Sequence, residues 1–175
     1  MNQDKLIKKV IQGHPRAQKT FYEQYASKMY AVSLRYAKDV DEASDILQEG
    51  FVKIFSNLAS YRNEGSLEGW IRRTIVNTAI NYYKKNLKHR NSSDLDTVMI
   101  FEKSDTVSAI DQMSENELLK IISKLPDGYR TVFNLNVIEG YTHREIGEML
   151  NISENTSKSQ LARARSYLQK RIVKK

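Results

Sequence analysis

The chain has no cysteine, and only two prolines and seven glycines among its 175 residues. No apolar run approaches the ~20 residues that span a bilayer. The lack of cysteine excludes a disulfide framework and thiolate zinc sites, and fits a reducing compartment, so a cytoplasmic location is expected. The N-terminus carries no signal-peptide apolar segment. Scarce glycine and proline, with no long polar–apolar alternation, leave an all-helical protein as the expected fold class. His14, His89 and His143 are scattered, and none pairs with another at ligand spacing. A nucleic-acid enzyme such as a nuclease would need clustered carboxylates or imidazoles for metal or acid–base work, and no catalytic residue, metal, cofactor or small-molecule substrate is expected. Each histidine reads as an ordinary surface residue.

Against these absences, 40% of residues are hydrophobic and 9% aromatic, enough for a packed core in one domain or two small ones. The net charge of +7 and a pI of about 9.5 favour a polyanionic partner. The charge falls in blocks. From Arg62 to Arg90 the cations, Arg72, Arg73, Lys84 and Lys85 among them, meet only Glu64 and Glu68. Between Asn91 and Asp127 acidic residues dominate, and from Asn151 onward Glu154 stands alone against cations from Lys158 to Lys175. Two DNA-facing modules with a DNA-avoiding connection would produce this pattern; so would solvated helix faces.

Apolar spacing marks the helices. Phe21, Tyr25, Met29, Val32 and Tyr36 form one stripe, and Leu47, Phe51, Ile54 and Leu58 a second, with Asp39 or Asp41 as its cap. Tyr61 to Ser66 is a loop by composition. Leu67, Ile71, Ile75, Thr78 and Tyr82 form a third stripe. The pattern then decays into a polar stretch from Lys88. The expected organisation is two small helical domains, residues 1–87 and 114–175, joined by a flexible linker over 88–113, with Val98 to Phe101 as a local anchor.

The second domain opens with a Ser114-x-x-Glu117 capping box, whose helix stops at Pro126-Asp127-Gly128. Another helix runs from about Tyr129 to Ile138 and ends at Gly140. Thr142 and Glu145 form a further capping box, followed by Ile146, Met149 and Leu150 at helical spacing. Asn151 suits a tight reversal, Ser153 caps the next helix, and Leu161, Ala164, Leu168 and Ile172 line its inner face. Two short helices about a turn, the second basic, have the form of a helix-turn-helix.

Two more faces bear on partners. Trp70, Arg73, Asn77, Asn81 and Lys84 share one side of the third helix. An aromatic ring, amides and cations there suit unstacked nucleotides, by stacking, base-edge bonding and phosphate contact. Alternatively Trp70 is ordinary core. Asp45, Gln48, Glu49 and Val52 share the outer face of the second helix. In a basic protein this acidic face is either simply solvated or a docking surface for another protein.

Asp41 to Glu49, with Phe51, resembles the polymerase-binding helix of bacterial sigma factors. Leu67 to Tyr82 resembles their promoter-melting segment, and the C-terminal helix-turn-helix, with Thr156-Ser157-Lys158-Ser159 and Ala162-Arg163-Ala164-Arg165, their upstream-element reader. In order and spacing the chain is similar to the extracytoplasmic-function (ECF) group of the sigma-70 family. The resemblance implies a non-catalytic specificity subunit that binds core RNA polymerase, through its large-subunit clamp helices and flap, and promoter DNA. Asp45, Gln48, Glu49 and Val52 would meet the clamp helices. Arg62 and Asn63 in the loop, with Trp70, Arg73, Asn77, Asn81 and Lys84, would engage the melted minus-ten element. Lys158, Ser159, Ala162 and Arg163, beside Thr156, would face minus-35 bases, while Arg144 and Arg165 hold phosphates. An anti-sigma partner, often membrane-bound in that group, is a further expectation.

The chain departs from the family pattern at four places. Leu67 stands where Phe is frequent, Gly50 where Ala or Thr is usual, Ser157 for a common Val and Gln160 for a common Arg. The last is expected to alter minus-35 contacts. Two rival readings are a stand-alone helix-turn-helix regulator, which needs neither the acidic face nor the Trp70–Asn81 face, and a nuclease, which needs the missing carboxylate or histidine cluster.

Overall fold

The computed structural model describes residues 2–90 and 114–172, and the described residues are helical with no strand. The linker beyond Arg90, its Val98–Phe101 anchor and the terminal lysines lie outside them. Eight α-helices among the described residues fall in two compact units, residues 1–81 and 82–175.

In the first unit, α1 (Gln3–Ile11) starts where the Asn2 side chain accepts from the Asp4 amide, and it buries Leu6 and Val10. Only two apolar positions are buried on this helix, too few to mark it by periodicity. Next comes α2 (Pro15–Tyr36), with proline in its first turn, where no intrahelical donor is lost. Asp39 caps α3 (Val40–Asn57), its Oδ1 accepting from the Glu42 amide at 2.8 Å. Glu42 in turn accepts from the Lys38 amide, so two free donors at the helix start are satisfied reciprocally. A 3-10 turn (Leu58–Ser60) and the loop to Ser66 lead into α4 (Leu67–Arg90). This helix continues to Arg90, three residues into the stretch expected to begin the linker, and the boundary between units falls inside it.

The α2 and α3 stripes meet, and each position read as part of either stripe is buried. The Phe55 ring lies 5.9 Å from those of both Phe21 and Phe51, centroid to centroid, and Tyr22 meets Phe51 edge-on at 4.7 Å. On α4, Leu67, Ile71, Ile75 and Thr78 are buried, and Tyr82 is half-buried. Gly50 is buried against Ile75, where a Cβ would overlap the isoleucine Cδ1. The glycine thus permits close approach of α3 and α4.

The second unit holds α5 (Glu115–Ile122), α6 (Asp127–Phe133), a π-helical turn (Asn134–Ile138), α7 (His143–Leu150) and α8 (Glu154–Ile172). Both expected capping boxes form, Ser114 with Glu117 and Thr142 with Glu145. The Glu145 carboxyl sits below its ordinary range because the Thr142 backbone amide, then its hydroxyl, donates to it. α8 is the spine: α6 and α7 pack on it through Val132, Ile146, Leu150, Leu161, Ala164 and Leu168. The reversal between α7 and α8 is tight. Asn151 adopts φ +56°, and a Cβ on Gly147 would sit 2.8 Å from the Ile152 carbonyl oxygen. Asn tolerates that left-handed conformation and glycine leaves the room.

Candidate polymerase and nucleic-acid interfaces

The outer face of α3 carries Asp45, Gln48 and Val52 in the open and Glu49 half-buried. Glu49 is 2.7 Å from Lys53, one turn on. Val52 is 65% exposed, although the rest of the helix had apolar sites to fill. An exposed branched aliphatic residue on a face shared with Asp45 and Glu49 is of no use to folding and suits a protein contact.

The loop before α4 is already shaped. Asn63 (φ +60°) and Gly65 (φ +90°) take left-handed conformations, and the Tyr61 hydroxyl donates to the Gly65 carbonyl at 2.8 Å. Ser66 accepts from the Gly69 amide to cap the helix. Arg62 and Asn63 project into solvent. Trp70 is half-buried, so it is neither core nor free, and its ring lies 5.8 Å from that of Tyr61. Sequence reasoning missed Tyr61. Nothing in the spacing of two aromatics nine residues apart shows that a loop folds one against the other. Along α4 from this pair, Arg73, Asn77 and Asn81 are exposed and Lys84 is half-buried.

On α8 each residue advances the helix by about 100°. Lys158, Ser159, Ala162 and Arg165 therefore gather on one side, away from buried Leu161, Ala164 and Leu168. All four are exposed. Lys158 pairs with Glu154 at 2.9 Å, and this bond, followed by the lysine's charge, lowers the Glu154 carboxyl. The Ser159 hydroxyl donates back to the Asn155 carbonyl at 3.0 Å, leaving its oxygen free to accept. Arg144, exposed on α7, lies 3.6 Å from Glu148.

Thr156 and Arg163 lie round the other flank. Thr156 is exposed and bonded to the Ser153 hydroxyl, whereas Arg163 is half-buried and already engaged. Gln160 shares that flank. Its Oε1 is buried, 3.3 Å from where a Gly128 Cβ would be, so it packs toward α6 and not toward a DNA groove. Helical phase is the reason. His143 corrects its reading as an ordinary surface residue: it is half-buried, with Nδ1 2.9 Å from the hydroxyl of fully buried Ser157.

Two family models match the chain. Residues 21–89 match sigma-70 region 2, and residues 115–168 match sigma-70 region 4. Their order and positions coincide with the α2–α4 bundle and the helix-turn-helix domain. The chain belongs to the sigma-70 family. Curated relatives place it with ECF members. An ECF RNA polymerase sigma-E factor of Haemophilus influenzae is 27% identical, covering 95% of this chain and 93% of that protein. The sigma factor SigV of Bacillus subtilis is 29% identical, covering 83% and 84%. Among solved structures, the sigma factor RpoE of Bartonella quintana, determined with the anti-sigma factor NepR, shares the fold with a TM-score of 0.53. It is 17% identical and covers 89% of this chain and 96% of that one. As a sigma factor the protein is a non-catalytic specificity subunit that directs RNA polymerase to promoters. Its partners are core polymerase and promoter DNA. Among the described residues no helix is long and apolar enough to cross a membrane, and no His, Cys, Asp or Glu cluster is suited to a metal ion.

Proposed function

We propose that the chain divides the work of initiation between two modules, a docking and melting domain over residues 1–87 and a duplex reader over 114–175, joined through 88–113. The α3 face of Asp45, Gln48, Glu49 and Val52 binds the polymerase clamp helices, with Val52 as the apolar centre and the carboxylates as charged rim. The helix-turn-helix domain meets the polymerase flap. Lys158, Ser159 and Ala162 face base edges of the minus-35 element, while Arg144 and Arg165 hold phosphates. Arg163 and Thr156 border this surface from the other flank.

Separated minus-ten bases lie along α4. Asn77 and Asn81 bond base edges, Arg73 and Lys84 hold phosphates, and an unstacked base is captured near Trp70 and the loop at Arg62 and Asn63. New stacking and hydrogen bonds there offset the cost of unstacking. The observation that supports this best is the open amide face of α4 leading from a preformed loop and the Tyr61–Trp70 ring pair. A duplex-binding regulator has no use for such a surface. The protein acts in the cytoplasm, restrained by an anti-sigma partner like the one bound to its structural relative.

Run-off transcription with purified core polymerase on a genomic promoter library tests the reading. Promoter-specific transcripts that depend on the chain are expected, and Asn77→Ala with Asn81→Ala should abolish them on duplex templates while sparing pre-melted ones. Equal loss on both templates would remove the melting role from α4.

A further inference from the structure

The contact between His143 and Ser157 joins the two helices of the helix-turn-helix, and its hydrogens can be placed. Ser157 is fully buried. Among the described residues its hydroxyl has a single hydrogen-bond partner, Nδ1 of His143 at 2.9 Å. If Nδ1 carried a proton, it would donate to the serine oxygen, and the serine hydrogen would be stranded in an apolar interior. The satisfied arrangement has the hydroxyl donating to a bare Nδ1, which puts the imidazole proton on Nε2. That nitrogen, on the far edge of the half-buried ring, is not enclosed and has no partner among the described residues.

The charged groups facing the ring are Lys158, Glu154 and Arg165, all on α8, with none from the π-helical turn. Burial, then the positive charge of Lys158, holds the imidazole below its ordinary range, with Glu154 opposing and Arg165 reinforcing. Lys158 and Arg165 belong to the exposed DNA-facing side of α8, so the ring edge borders the same surface. A common family residue at Ser157, valine, would leave Nδ1 without a donor.

We propose that His143 is a neutral phosphate-contacting residue of the helix-turn-helix, held in the Nε2–H tautomer by the buried hydroxyl of Ser157. A backbone phosphate of the promoter duplex accepts from Nε2. The contact fixes the register of α7 on the backbone and adds affinity for any duplex, but as an uncharged donor it adds nothing to counterion release. The inference rests on the assignment of α7 and α8 to duplex binding.

Nitrogen-resolved NMR of the full chain reads the ring directly, with exposed His14 and His89 as references in the same spectra. His143 is expected as the Nε2–H tautomer at neutral pH, and Ser157→Ala is expected to release it to a mixture. An Nδ1–H form in the unaltered chain would overturn the lock. On DNA, His143→Ala is expected to weaken binding about tenfold, alike on a promoter duplex and on a scrambled duplex of equal length. The slope of log affinity against log salt should stay unchanged, because a neutral donor displaces no counterion.

A fall in that slope of about one unit would show an imidazolium and overturn the neutral-donor assignment. Unaltered affinity would overturn the phosphate contact. His143→Gln places an uncharged donor near the Nε2 position and should restore most of the lost affinity, with melting curves verifying that each variant folds. The NMR and scrambled-duplex arms do not depend on transcription. If they succeed while run-off transcription fails, it is the promoter-directing role that falls.

Discussion

Arg130 lies at 4% exposure between α5 and α6, where its guanidinium donates to Asp127 at 2.9 Å and to the carbonyls of Leu125 and Ser123. The three acceptors tie the Pro126 turn to α6. Removing the carboxylate takes away the charge paired with this buried cation, so Asp127→Ala is expected to destabilise the C-terminal unit by about 3 kcal/mol, the low end for a broken buried pair. Urea denaturation of the full chain measures it. His143 makes a second prediction at this scale. Its folded pKa is lowered, so its contribution is fully present above the unfolded value of about 6.5 and is lost as pH falls from there through the folded value. As pH falls below about 6.5 the chain should therefore lose stability more steeply than His143→Gln. Parallel pH dependence in the two would assign the loss to other groups.

Two glycines set how closely elements approach. Gly50→Ala gains about 1 kcal/mol of helix propensity but drives a methyl into the Cδ1 of fully buried Ile75, an overpacking of about 1–3 kcal/mol. Net destabilisation is expected, and Ile75→Val, which deletes that Cδ1, should relieve it. The double variant should then be more stable than the sum of the single changes by about 1 kcal/mol in denaturant titrations. Gly147→Ala meets the backbone carbonyl of Ile152, which has no rotamer to change. It should destabilise the helix-turn-helix by at least about 2 kcal/mol and weaken duplex binding, with the gap closing when the Asn151 turn is lengthened. Caps, stripes and the αL turn are legible in the chain because each depends on residues within a few positions. The π-helical turn at Asn134–Ile138 and helix α1 were not, since neither has a local apolar period that separates it from its surroundings.

For the molecule as a whole, two surfaces of opposite character predict separable defects. Glu49→Lys reverses charge beside Val52 and should impair capture of core polymerase while leaving duplex affinity alone. Lys158→Ala should do the reverse, with a penalty of ~1–3 kcal/mol on the cognate minus-35 duplex and less on altered sequences. A uniform loss across sequences would make Lys158 a phosphate contact, and unchanged polymerase pull-down by Glu49→Lys would remove α3 from the docking surface. The helical class, the two basic blocks, the capping boxes, the helix-turn-helix and, by resemblance, the sigma family can all be read from the amino-acid sequence. Those features arise from composition and from side chains three to seven positions apart, a range the helical period covers. That Tyr61 meets Trp70, that Gln160 faces α6 and that Ser157 engages His143 came from packing in three dimensions. Each joins a helix to a loop or a second helix. The phase at which two elements meet follows from how their buried faces pack, and no local pattern records it.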